Sequence, residues 1–135
     1  MNLERAIVAA ASGMNAQSAR LRVVAENLAN RDVTGQSPGA DPYRRRTVSF
    51  ATRLDRSLGV SVVQAERPRT DRGDLPQRFE PSHPAADATG YVRLPNVNGL
   101  LEMMDMREAQ RSYGANLAVL ETTRAMVLRA IDTLR

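Results

Sequence analysis

Residues 96–135 read NVNGLLEMMDMREAQRSYGANLAVLETTRAMVLRAIDTLR, forty residues without a proline. From Met103 the positions Met103, Met106, Gln110, Tyr113, Leu117, Leu120, Arg124, Val127, Ile131 and Leu134 alternate steps of three and four, the heptad spacing of a coiled-coil face. Only Gln110 and Arg124 interrupt the apolar run. A helix from Gly99 to Leu134 extends about 50 Å at 1.5 Å per residue, far beyond the usual three turns. An apolar stripe of that length needs a partner.

The start of the chain repeats the pattern. Leu3, Ile7, Ala10, Met14, Gln17, Leu21, Val24 and Leu28 run in strict four-three alternation. Ala9, Ala10, Ala11, Ala16 and Ala19 favour helix and allow close approach of another helix, whereas Ser12 and Gly13 weaken the middle. Two arrangements satisfy these seams: an antiparallel hairpin with its own core, or helices facing other subunits. Near Asn30 the helix should fail, because Asn30, Asp32, Thr34, Gly35, Ser37, Pro38, Gly39, Asp41 and Pro42 follow within a dozen residues.

All seven prolines lie between Pro38 and Pro95. The chain therefore divides into an N-terminal helical segment, 1–30, a proline-punctuated middle, 31–95, and a C-terminal helical segment, 96–135. Within the middle, Thr47–Phe50, Gly59–Gln64 and Tyr91–Leu94 have the β-branched and aromatic content of short strands. Arg67–Pro84 has little periodicity and reads as an extended arm or loop ordered by contact. The fold class is mainly α: long N- and C-terminal heptad helices packing as a coiled coil or helical bundle, with a small irregular β-containing middle.

At 135 residues, with no Trp, two Phe and three Tyr, the core must be aliphatic. The absence of cysteine rules out disulfides and thiolate metal sites. Glu4 and Arg5 stand where a leader's apolar region would begin, and no run approaches a membrane span, so neither a cleaved leader nor membrane insertion is expected. All nineteen basic residues are arginine and the pI is about 10.6, which raises the question of nucleic acid. Their distribution answers it. Both terminal segments are nearly neutral, only Arg44, Arg45 and Arg46 form an uninterrupted cluster, and no basic stripe appears, so no nucleic-acid partner is expected.

His83 is the only histidine, and Asp87 is its nearest plausible co-ligand. Pro84 opposes a helical pairing of the two, and no second His or acidic cluster accompanies them, so His83 reads as a loop residue that hydrogen-bonds locally. The same shortage leaves no Ser-His-Asp or Cys-His mechanism, and no glycine-rich phosphate loop precedes a Lys. Neither an enzyme nor a cofactor is expected. Met103, Met104 and Met106 suit gap-filling between helices or an adaptable surface. Arg107, Glu108, Arg111, Glu121 and Arg124 are placed for ion pairs that tune register, each contributing about 0–1 kcal/mol.

Four stretches carry a resemblance. Glu26-Asn27-Leu28-Ala29-Asn30 is similar to the Asn-Leu-Ala-Asn signature of bacterial flagellar rod and hook axial proteins. Pro42 to Phe50 resembles the Tyr-basic segment that follows it in that family. The run from Glu80 through His83-Pro84 and Gly90-Tyr91-Val92-Arg93-Leu94-Pro95 to Asn98 resembles a proximal rod member. Glu102 to Met106 and Arg111 to Asn116 resemble the start of the family's C-terminal helix, with Gly114 lowering helix propensity by up to about 1 kcal/mol. No recognisable family pattern matches Val33 to Asp41.

The resemblance implies a structural subunit of the flagellar basal-body rod, exported by the flagellar type III apparatus and polymerising helically across the periplasm with itself and other rod proteins. In that reading the subunit interface takes in Leu3, Ile7, Met14, Leu21, Val24 and Leu28, with Asn27 and Asn30 of the shared motif. From the C-terminal helix it takes Met103, Met106, Tyr113, Leu117, Leu120, Val127, Ile131 and Leu134. Another proximal rod subunit of the same architecture, and a monomeric helical adaptor that binds a partner helix, are the competing readings.

Overall fold

The computed structural model describes residues 2–134. In chain order it contains α1 (Leu3–Ala29), β1 (Arg46–Thr47), β2 (Phe50–Asp55), β3 (Val60–Ala65), β4 (Arg69–Thr70), β5 (Gln77–Phe79), β6 (Tyr91–Arg93) and α2 (Gly99–Thr133). The mainly α class with a small β-containing middle is what the structure has. α2 starts where Asn98 caps it, its Oδ1 accepting from the amides of Leu100 and Leu101 at 3.1 and 3.4 Å. At the other terminus Asn2 Oδ1 accepts from the Arg5 amide at 3.3 Å. α1 stops beside Asn30, whose backbone and side-chain N–H groups both donate to the Glu26 carbonyl.

The strands form three separate antiparallel pairs: β1 with β4, β2 with β3, and β5 with β6. The expected Thr47–Phe50 strand is instead divided between β1 and β2, with Val48 and Ser49 in neither. Part of the expected arm, Arg67–Pro84, is strand: Arg69–Thr70 pairs with Arg46–Thr47, and Gln77–Phe79 with Tyr91–Arg93.

Two compact units share the helices. In the first, residues 1–21, 48–67 and 107–135, α1 lies beside the β2–β3 hairpin and the longer part of α2. Asp55 closes the hairpin turn, its Oδ1 accepting from Ser57 N, Ser57 Oγ and Leu58 N. Gly59 supplies the positive φ of 62° that the turn requires. The amide of Val63 donates to Ser12 Oγ at 3.1 Å, which ties β3 to α1. A Cβ on Gly13 would stand 2.8 Å from Asn116 Nδ2, so this glycine lets α1 approach α2 closely.

The second unit holds residues 22–47 and 68–106. Its core gathers Val23, Val24, Ala85 and Val92, with Val92 fully buried. In the loop after β5, Asp87 Oδ1 accepts from Thr89 N, Thr89 Oγ1 and Tyr91 N. The Thr89 side-chain hydrogen bond, then the Tyr91 amide, hold the Asp87 carboxyl below its ordinary range. Gly90 adopts φ 85° and lies against Phe79, which meets Tyr91 edge-on with ring centroids 5.3 Å apart.

Candidate functional site

In the second unit, the last turns of α1, the β1 segment and the first turns of α2 meet around Asn27. Its side chain is 1% exposed, and every hydrogen-bonding position is used. Nδ2 donates to the Arg46 carbonyl at 2.8 Å and to Glu102 Oε2 at 3.1 Å. Oδ1 accepts from Tyr43 Oη at 2.8 Å and from the Arg46 amide at 2.9 Å. Glu102 is fully buried, and its second oxygen accepts from Arg45 Nε. Around this centre, Arg45 N donates to Asn96 Oδ1 at 2.7 Å, and Arg46 Nη1 grips both oxygens of Glu26 at 2.9 and 3.0 Å.

This network is a lock between three segments distant in sequence. Buried charge is tolerated when paired and hydrogen-bonded, and Glu102 has both. Burial raises the Tyr43 phenol above its ordinary value; the nearby Glu26 charge adds to the shift, and Arg46 opposes it. The arrangement with neutral Tyr43 as donor and Asn27 as acceptor is thus favoured electrostatically.

Asn27 and Asn30, grouped with the interface by sequence, spend these hydrogen bonds inside the chain. Leu3, Ile7, Met14, Leu21 and Leu28 are partly buried, and Val24 is buried. In α2, Met106, Tyr113, Leu120 and Val127 are partly buried, whereas Met103, Leu117 and Ile131, with Leu134 just after the helix, are exposed. The covered stripe is Glu102, Met106, Ala109, Tyr113, Asn116, Leu120, Thr123 and Val127, again with heptad spacing. It shares every second position with the stripe read from the sequence but shifts the others by one residue. Met103, Gln110, Leu117, Arg124 and Ile131 all lie outside it.

The stripe covered within the chain therefore differs in phase from the apolar stripe read from the sequence. The covered positions include a charged, a small and two polar residues, whereas the sequence reading followed the apolar ones. Glu102, Arg45 and Asn96 were missed as a cluster because their partners lie 51 to 75 residues apart. The outcome is an α2 whose apolar residues are largely uncovered: Leu117, Val119, Met126, Leu128 and Ile131 are all exposed, Leu117 by 37% and Leu128 by 53%.

His83 performs local hydrogen bonding. Its Nδ1 accepts from the Ala85 amide at 3.0 Å, which leaves Nε2 as the donor toward Thr34 Oγ1 at 3.3 Å in the neutral ring. Among the described residues no group of three His, Cys, Asp or Glu side chains is placed to hold a metal ion, and no helix is long and apolar enough to cross a membrane.

Two family models match the helical segments. "Flagella basal body rod protein" covers residues 7–35, which include Asn27, and "Flagellar basal body rod FlgEFG protein C-terminal" covers residues 88–133, which include Glu102. The flagellar basal-body rod protein FlgC of Agrobacterium fabrum is 53% identical over 126 residues, spanning 93% of this chain and 91% of that protein. FlgC of Salmonella typhimurium is 41% identical, covering 90% of each chain, and FlgC of Borreliella burgdorferi is 35% identical, covering 100% of this chain and 99% of its own. The matches run through both helices and the lock between them, and the chain belongs to the FlgC family of flagellar basal-body rod proteins, structural subunits of the basal-body rod.

Proposed function

We propose that the chain polymerises helically in the proximal rod, with 1–30 and 96–135 as axial helices and 31–95 as the segment that braces them. The assembled rod transmits torque and encloses part of the export channel. It is a non-catalytic role. The subunit reaches the periplasm through the flagellar type III apparatus, and its neighbours are itself and other rod proteins.

The observation that carries this reading is the uncovered apolar side of α2. A monomeric adaptor with its own helical core would put its most apolar stripe inside, but here Met103, Leu117 and Ile131 face outward while Glu102, Asn116 and Thr123 are covered. Burying a leucine contributes about 1.5–3 kcal/mol, and repetition along a polymer multiplies it. Leu117→Asp is the test. Because Leu117 lies outside the internal seam, the variant should fold and be exported, yet be absent from isolated rods, with motility lost. Normal rods containing Leu117→Asp would remove the basis for the reading.

A further inference from the structure

The β2–β3 hairpin has two unlike faces. Phe50, Thr52 and Leu54 stand opposite Ala65, Val63 and Ser61, so their side chains share one face. All of the hairpin's large exposed hydrophobic residues, Phe50, Val63 and the 57% exposed Leu54, are on that face. A two-stranded hairpin is marginal by itself, and an uncovered apolar face makes it more so. Beside it, Ser12, Asn15 and Ala16 of α1 complete an open trough of about 1130 Å³ with Thr52, Leu54 and Val63. Small-molecule pockets are commonly about 300–1,000 Å³ and enclosed, so this trough suits a polypeptide segment better.

We propose that the trough receives the distal part of α2 from a second copy of this chain. The proposal rests on the reading of the chain as a polymerising subunit and identifies one contact of that polymer. Three features select this occupant. Lengths match: a six-residue strand spans about 20 Å, and Leu117 to Ile131 spans about 21 Å of helix. Chemistry matches: Leu128, Ile131 and Leu134 are exposed and apolar, as are Leu54 and Val63 in the trough.

Charge also matches. Arg56, at the hairpin turn, lines the trough without an ion-pair partner among the described residues, while its neighbour Asp55 is engaged by Ser57 and Leu58; Asp132, one turn after Leu128, is exposed and likewise has no ion-pair partner among those residues. Both surfaces are exposed in the same chain, so the contact forms between copies. Donor and acceptor are different surfaces, which makes the contact head-to-tail. Such a contact propagates into an open helix if its rotation does not close a ring.

The chain has no cysteine, so introduced pairs report without background. Subunits carrying Leu54→Cys are co-expressed with subunits carrying Ile131→Cys in a flagellated strain lacking its own copy of the gene, and isolated basal bodies are oxidised. The proposal requires a cross-linked dimer of this chain from the mixture and none from either variant alone. Assembled rods without the dimer, or with Leu54→Cys joined to a different rod protein, would overturn it and leave the rod assignment standing. Failure of the unmodified chain to enter basal bodies would instead overturn the rod assignment.

A charge exchange covers the case in which cysteines disturb packing. Arg56→Glu should reduce incorporation about tenfold or more, since like charges across an interface cost several kcal/mol, and adding Asp132→Arg should restore it. Unchanged incorporation in the first variant, or no rescue in the second, counts against the contact.

Discussion

Asn27→Asp is nearly isosteric and reverses the chemistry of the lock. The substitution replaces the Nδ2 donor by a carboxylate oxygen facing Glu102 Oε2 at 3.1 Å and the Arg46 carbonyl at 2.8 Å. Two donated bonds are lost, each with a net value of about 1 kcal/mol. Two carboxylates 3.1 Å apart add a repulsion of about 5 kcal/mol at an effective dielectric constant of 20. Arg45 and Arg46 offset part of it, because both guanidinium groups lie at the same site. A net destabilisation of about 3–4 kcal/mol results, which is a large share of the ~5–15 kcal/mol of a typical domain.

Glu102→Gln isolates the repulsion. Oriented with its amide toward position 27, the glutamine donates to the introduced carboxylate, so Asn27→Asp should cost no more than about 1 kcal/mol in that background. The double-mutant cycle is measured by urea denaturation of the purified chain, followed by circular dichroism. It should give a coupling of about 2–3 kcal/mol, at the upper end for residues in contact. Additivity within about 0.5 kcal/mol would show that Asn27 and Glu102 do not meet in the folded chain, and the lock would have to be abandoned.

Other perturbations separate the helices from the loops. Gly114→Ala should raise stability by about 0.5–1 kcal/mol in thermal melts, since it is a helix-interior position with no atom within 4 Å of the added Cβ. Gly90→Ala should lower it by about 1–3 kcal/mol, because φ is 85° and the new methyl would stand 2.8 Å from Phe79 Cε2. Tyr43 has a folded-state pKa above 10.0, so its contribution is fully present below about pH 10 and is lost as pH rises through the higher folded value. Tyr43→Phe should therefore flatten the alkaline limb of a stability-against-pH curve relative to the unmodified chain.

The extents of both helices were legible because local chemistry marks them: no proline interrupts α2, and Asn30 opens the run of loop-forming residues at which α1 ends. β3 was legible from Val60, Val62 and Val63, whereas β2 contains Phe-Ala-Thr-Arg-Leu-Asp and owes its place to six paired positions on β3. The two- and three-residue strands within Arg67–Pro84 are too short for any period to register. Asn27 stood out as part of a motif, but its role depends on Glu102, 75 residues away. In α2 the apolar stripe read from the sequence and the stripe covered within the chain share heptad spacing and differ in phase, since Glu102, Ala109, Asn116 and Thr123 carry too little hydrophobicity to mark a covered face.

That difference in phase explains why a subunit would keep polar residues in its internal seam. Hydrophobic burial alone favours covering Met103, Leu117 and Ile131 in preference to Glu102, Asn116 and Thr123. Directional bonds oppose that rotation. Turning α2 by one residue, about 100°, would remove Glu102 from Asn27 and Arg45 and leave buried polar groups without partners, a cost of about 1–3 kcal/mol for each one. Beyond Glu102, the close approach of Gly13 and Asn116 imposes the same phase through shape. A polar residue at a helical seam characteristically fixes register at some expense in stability. Here the register it fixes has a further consequence: the chain's more apolar α2 stripe stays outside its own core, where only another chain can cover it.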